Sequence, residues 1–314
     1  ARGRGARRAG GCAVIRAVDL FAGAGGMSLG AELAGLEVLA AVNHWPIAVA
    51  SHAANHPRAT HHCEDLAVMD PYKLPDHDVM LAAPVCGGHA KARGKERAHH
   101  DASRSTAWCV VRVAEAKRPR WLVIENVPEM LSWALFPAWK HALELLGYGV
   151  TTQVVRAEET GEVPQRRHRL VIVGHLGRPM SVRIEPRPPM AARTVLDLEG
   201  GSWRPWREYA PRSVARIEAA QRRRGRDVLV PYYGSSSSHA GVSLDGPIGT
   251  LTTRDRYVLV RGELARVLTV QEQLALSGFP RDYALRGTRR EQVMQVGNAV
   301  PPPLAAAVLR SLLH

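Results

Sequence analysis

The run Ala13–Leu20 is apolar apart from Arg16 and Asp19. It passes directly into Phe21-Ala22-Gly23-Ala24-Gly25-Gly26 and then into the helical pattern Met27–Leu36. A strand that turns into its helix through glycines is the opening unit of an α/β fold, since a turn without side chains can tighten and approach a ligand. The turn by itself suits a dinucleotide, a nucleoside cofactor or plain tight packing. Phe21 ahead of Gly-x-Gly-Gly, with no further Gly-x-x-Gly spacing for a pyrophosphate, favours a nucleoside.

The same rhythm continues to about residue 174, with expected strands at Val38–Val42, Asp78–Ala82, Trp121–Ile124, Val150–Val155 and Arg169–Val173. Helical stretches lie between them at Ile47–Asn55, Ser105–Lys117 and Phe136–Leu146. This is the pattern of an α/β domain on a mostly parallel sheet. Beyond Leu176 the chain becomes rich in Pro, Gly and Ser, and Gly177–Ala265 holds 15 Arg and no Lys against 9 acids. That segment reads as a smaller, loop-rich unit, with periodicity mainly in Leu251–Val260. Val267–Gly278 and Pro301–Leu313 are helix-like. The expected organisation is a basic tail over 1–12, a catalytic, cofactor-binding domain over 13–175 plus 292–314, and a small domain with its hinge over 176–291.

The 314 residues are enough for one large domain or a large and a small one, and no apolar run is long enough to span a membrane. The basic N-terminus leads into no long apolar segment, so the expectation is a cytosolic chain. Four cysteines without a CxxC pair argue against a disulfide framework or zinc ribbon, and the 14 histidines show no ligand spacing, so no metal is expected. A net charge of +13 is the footprint of a nucleic-acid binder, although an Arg-heavy, Ala-rich composition also follows from GC-rich coding.

Chemistry-bearing residues fall at the strand ends. The second strand closes on Asn43-His44-Trp45, where a nucleotide-binding domain places its ribose contact. Glu64-Asp65 offers acceptors for an adenine amine, or is a solvated acidic loop. Pro84-Val85-Cys86-Gly87-Gly88 follows the strand Asp78–Ala82, and the cations Lys91, Arg93, Lys95 and Arg97 favour the Cys86 thiolate. The apolar Trp121–Ile124 ends in Glu125-Asn126, where burial favours a proton-donating carboxyl. Gln165-Arg166-Arg167-His168-Arg169 leads into another strand, with Arg167 and Arg169 sharing a face.

These blocks, together with Arg266–Pro280 and Gln295–Pro302, resemble the C5-cytosine DNA methyltransferase family, in the family's order and across nearly the whole chain. The resemblance implies a Rossmann-like, S-adenosylmethionine-dependent methyltransferase domain with a smaller, loop-rich target-recognition domain. The reaction it implies moves a methyl group from S-adenosylmethionine to C5 of a flipped cytosine in duplex DNA, leaving S-adenosylhomocysteine. Cys86 would add to C6, Glu125 would hold N3, Arg169 would bind O2, and Arg167 would steady the loop and the developing charge. The cofactor would rest on Phe21, Gly23, Gly25, Asn43, His44, Trp45 and Asp65, with Asn298 in support. Pro84, Asn126, Gln165 and the cluster Arg222, Arg223, Arg224 would meet the DNA, the cluster facing phosphates from a helical stretch Arg216–Arg226. Double-stranded DNA is then the partner of a monomeric, bacterial or phage-encoded, nucleoid-associated chain, with a cognate restriction endonuclease as a further partner. Two departures stand out: Pro-x-Cys in place of Pro-Cys-Gln, and His44 in place of the usual Glu. Rival readings are an RNA cytosine methyltransferase and a non-catalytic DNA-binding paralogue.

Overall fold

The structure, a computed structural model, describes residues 14–85, 105–232 and 241–313. Seven strands form the larger sheet: β1 (Arg16–Leu20), β2 (Glu37–Val42), β3 (Thr60–His62), β4 (Val79–Ala82), β5 (Trp121–Asn126), β6 (Tyr148–Arg156) and β7 (His168–Leu176). Their order is β3-β2-β1-β4-β5-β7-β6, and β7 runs in the direction opposite to the other six. The central strands are apolar on both faces, as expected of parallel strands covered by helices on two sides. On one face Val18, Leu20, Leu122 and Ile124 pack with α3 (Ala107–Lys117) and α4 (Phe136–Leu145). On the other, Ala17, Val79, Leu81 and Val123 pack with α1 (Gly26–Leu33) and the C-terminal helix Pro302–Leu313. α2 (Pro46–Asn55) connects β2 to β3.

The expected strands and helices of this half are present with shifted ends. β3 was not expected, because Thr-His-His carries no apolar signal and is held by its backbone pairing to β2. β5 runs two residues further than expected, so Glu125 and Asn126 lie within the strand rather than beyond it.

The Arg-rich segment departs further from its loop-rich expectation. It contains a five-stranded antiparallel sheet, β10-β9-β11-β12-β8, from β8 (Arg204–Pro205), β9 (Asp227–Pro231), β10 (Val242–Ser243), β11 (Tyr257–Arg261) and β12 (Leu264–Val267). These strands are two to five residues long, and β9 and β11 are buried on both faces, so neither length nor alternation announces them. Helix α5 (Pro211–Arg224) covers one face through Ile217 and Ala220, while Leu229 and Leu259 meet Leu244, Ile248 and Leu276 on the other. Val267 ends β12 instead of starting a helix. The helix α6 (Val270–Leu276) begins after Thr269, whose hydroxyl and Glu272 form a capping box. A further capped helix, α7 (Arg289–Asn298), precedes the C-terminal helix α8 (Pro302–Leu313).

Candidate active site

The strand order reverses between β1 and β4, whose connections leave in opposite directions. Such a switch point opens a crevice at the carboxyl ends of the strands. On one side of it lies the glycine turn. Phe21 adopts a left-handed backbone (φ 59°), as does Gly23 (φ 54°), and a non-glycine residue held in that region marks a conformation fixed by its surroundings. A Cβ on Gly23 would meet nothing nearer than 3.9 Å, so its open side is available to a ligand. Gly25 is different: a Cβ there would sit 2.6 Å from Tyr283 Oη and 2.7 Å from His56 Nε2. Packing therefore requires a glycine at position 25.

β2 and β3 end beside this turn. Asn43 Oδ1 accepts from the Trp45 amide at 2.9 Å, forming a tight turn that leaves His44 exposed and Trp45 half-buried. Asp65, also exposed, accepts the Ala67 amide at 2.9 Å. An open glycine, an aromatic side chain and a carboxylate at adjacent strand ends are the donor set a nucleoside-bearing cofactor needs. Asn298 is exposed at the end of α7.

On the other side, Glu125 and Arg169 form an ion pair, Arg169 Nε to Glu125 Oε1 at 2.6 Å, with each side chain 12% exposed. The register explains it. Glu125 lies opposite Val171 in the antiparallel pair, and Arg169 is two residues along β7 on the same face. Next along β5, Asn126 is 1% exposed; its Nδ2 donates to the Pro84 carbonyl at 3.0 Å and its Oδ1 accepts the Val127 amide at 2.9 Å. Pro84 is itself buried. Cys86, the expected nucleophile, lies outside the described residues, two positions beyond Pro84.

Three expected contacts take other roles. Gln165 is fully buried; it donates to the Leu276 carbonyl and Ser277 Oγ and accepts the Leu251 amide, so it cannot read DNA. Arg167, 2% exposed, reaches the carbonyls of Leu251 (3.1 Å), Gly297 (2.8 Å) and Ala299 (3.0 Å). It fastens two distant segments, one at Leu251 and one at Gly297 and Ala299. Asn126 likewise orders the chain before Cys86 instead of presenting itself to a substrate. Arg222, Arg223 and Arg224 are exposed in the last turn of α5, where cations also complement the helix dipole. The helix starts at Pro211, earlier than the stretch from Arg216 suggested.

A buried polar chain beneath the glycine turn was not legible in the sequence. Ser28 Oγ donates to Asp19 Oδ2 at 2.7 Å and lies 2.9 Å from His52 Nε2, whose Nδ1 is 2.8 Å from His61 Nε2. Burial pushes the Asp19 carboxyl up to about 7, against the Ser28 hydrogen bond, and pushes His52 down to about 2. Beside them, His56 bridges Glu32 (2.9 Å) and Tyr283 (3.0 Å), and the Tyr283 hydroxyl donates to the Ala24 carbonyl. The one available signal was Asp19, a carboxylate inside an apolar strand. Among the described residues no group of His, Cys, Asp and Glu is placed to hold a metal ion, and no helix is long and apolar enough to cross a membrane.

A doubly wound sheet with a glycine turn on one side of its switch point and a buried carboxylate–guanidinium pair on the other defines a cofactor-dependent α/β enzyme. The family model for the C-5 cytosine-specific DNA methylase matches residues 15–314, and the chain belongs to that family. It is 30% identical to the Type II methyltransferase M1.HphI of Haemophilus parahaemolyticus, over 96% of this chain and 87% of that one. It is also 30% identical to the Type II methyltransferase M.HgiDI of Herpetosiphon aurantiacus, over 95% and 94% of the two chains. The fold is similar to that of the S. pombe Dnmt2 methyltransferase, with a TM-score of 0.67 at 17% identity over 95% and 98% of the chains. The protein is therefore a DNA cytosine-5 methyltransferase.

Proposed function

We propose that the chain methylates cytosine C5 in duplex DNA with S-adenosylmethionine as donor, through transient attachment of the base to Cys86. The observation that carries the site assignment is the Glu125–Arg169 pair at 2.6 Å, held on the strand whose next residue fastens the chain leading to Cys86. Bound on the open side of the glycine turn, S-adenosylmethionine supplies an activated methyl group on a sulfonium. Gly23 leaves room for it, Phe21 and Trp45 offer apolar faces, and His44 and Asp65 supply polar contacts.

Cytosine C5 is too weak a nucleophile to take a methyl group unaided, and a base within a duplex is out of reach. The base must be flipped and covalently activated. The Cys86 thiolate adds to C6 while Glu125 holds N3 and Arg169 meets O2, so that charge developing on the ring falls on fixed groups. C5 would then take the methyl group as the donor's sulfur–methyl bond breaks to leave a neutral thioether; a base would remove the C5 proton, and the C6–sulfur bond would break to return the thiolate. Arg167 and Asn126 act by position, tying Leu251, Gly297, Ala299 and Pro84 around the site. Segment 176–291 serves as the target-recognition unit, its exposed arginines clamping phosphates. Two of the relatives are named Type II methyltransferases, which supports a cognate restriction endonuclease as partner and the nucleoid of a bacterial or phage-bearing cell as the place of action.

Bisulfite sequencing of plasmid DNA from an expressing host tests this directly. Protected cytosines at a recurring sequence are expected, and uniform conversion would overturn the reading.

A further inference from the structure

Asp19 is fully buried, and its Oδ1 has no hydrogen-bond partner among the described residues, while Oδ2 accepts the Ser28 hydroxyl at 2.7 Å. A buried carboxylate with an unpaired oxygen is costly, and its position is informative: it sits two residues before the left-handed Phe21 and four before Gly23. The proton arrangement around it is determined by the groups present. Ser28 has one proton and gives it to ionised Asp19, so His52 must donate Nε2–H to Ser28 Oγ. Its bare Nδ1 then accepts from His61 Nε2–H.

When Asp19 is neutral every bond reverses: Asp19 donates to Ser28, Ser28 to His52 Nε2, and His52 Nδ1–H to His61 Nε2. The two states differ by one proton. It enters at Nδ1 of the half-buried His61, and one proton shifts along each link until Asp19 is neutralised, without opening the core.

From this geometry we infer that Asp19 selects the cationic methyl donor over its neutral product, and that the chain Ser28–His52–His61 delivers or withdraws the proton that sets this preference. The inference rests on the S-adenosylmethionine reading above. The two ligands share their adenosine, amino and carboxylate groups and differ in charge at sulfur. A buried negative charge beneath the turn therefore favours the sulfonium and is indifferent to the thioether. Burial pushes the Asp19 carboxyl up to about 7, so the switch falls near neutrality. Sulfonium binding favours the ionised form and releases a proton, and affinity for the donor rises with pH. The titratable groups facing Asp19 and its chain are Glu32 from α1, His52 from α2, His56 at the C-terminal cap of α2, His61 and His62 from β3, and Tyr283 from the segment after α6.

The test is titration calorimetry of S-adenosylmethionine and S-adenosylhomocysteine onto the full chain between pH 6 and 8, in paired buffers of different ionisation enthalpy. In the wild type, donor binding releases a fraction of a proton near pH 7 and product binding releases less. The donor-to-product affinity ratio rises by up to about tenfold over the range. In Asp19→Asn the ratio is flat and the excess release is gone. In Ser28→Ala, which keeps the carboxylate but removes a bond that favours its ionised form, the release maximum moves to higher pH, and this variant decides the matter should Asp19→Asn not fold. A pH-independent ratio in the wild type, or the same release in both variants, overturns the inference and leaves the cofactor reading intact. Failure of the wild type to bind S-adenosylmethionine overturns the cofactor reading, and the inference with it.

Discussion

Asn126 Nδ2 donates to the Pro84 carbonyl across 3.0 Å, so the strand that carries Glu125 also holds the chain that leads to Cys86. One buried amide thereby ties β5 to the segment that follows β4. Asn126→Ala leaves that carbonyl unsatisfied and costs about 1–3 kcal/mol of stability. A lowered urea midpoint is expected, together with a fall in kcat larger than any change in KM for the cofactor. Unchanged kcat would show that the Pro84 hydrogen bond plays no part in aligning the site.

With Cys86 as the proposed nucleophile, Cys86→Ala is expected to abolish methylation while DNA binding persists. A duplex with 5-fluorocytosine at the target forms a denaturation-resistant adduct with the wild type only, since fluorine cannot leave as a proton does. Glu125→Gln keeps the shape of the site and loses roughly two to four orders of magnitude in rate, the usual scale for a positioned acid or base. An adduct that survives Cys86→Ala would move the nucleophile's role to another thiol.

Substitutions at two glycines three residues apart are expected to cost function and stability to different degrees. A Cβ on Gly26 would lie 2.1 Å from the Val300 carbonyl oxygen, so Gly26→Ala forces α1 and the C-terminal segment apart and costs about 1–3 kcal/mol or more. Gly23→Ala meets no atom nearer than 3.9 Å and bears only the left-handed backbone penalty of about 1–2 kcal/mol. Thermal melts should separate them, with Gly23→Ala remaining folded and binding the cofactor more weakly.

Asp19 and His52 oppose each other in the pH dependence of stability. The folded Asp19 carboxyl, at about 7, lies above its unfolded value of 3.8, so its contribution is full below pH 4 and is lost as pH rises through 7. The folded His52, at about 2, lies below its unfolded 6.5, so its contribution is full above pH 6.5 and is lost as pH falls. The two slopes cancel between about pH 4 and 6.5. Asp19→Asn should therefore make acid unfolding steeper by up to ~1.4 kcal/mol per pH unit, measured by urea melts at several pH values. His52→Gln should do the reverse, and parallel profiles in all three proteins would sink this assignment.

Neutralising Arg222, Arg223 and Arg224 should weaken binding to specific and random duplexes alike. The salt slope should fall by roughly 0.9 for each phosphate that the helix no longer neutralises. An unchanged slope with a lower melting temperature would leave the cluster as a helix-terminal charge group on α5.

The residues that announce the chemistry are local in sequence. Asp19 to Gly26, Pro84 to Cys86, Glu125-Asn126 and Gln165 to Arg169 each lie at or beside the end of an apolar strand, and strand, turn and helix periods are written into short windows of chain. Pairing was decided elsewhere. That Glu125 meets Arg169 depends on the antiparallel register of β5 and β7, and that Arg167 meets Leu251, Gly297 and Ala299 depends on chain returning from far away. The small sheet was hidden because its strands are short and its central pair, β9 and β11, is buried on both faces, which erases the alternation a sequence can display. Asp19, Ser28, His52 and His61 are spread over β1, α1, α2 and β3, and only packing brings them within hydrogen-bond reach. Local periodicity determines which elements form and which side chains stand at their ends, whereas the partner of a buried polar group is set by which distant surface closes over it, because desolvation gives that choice its free energy.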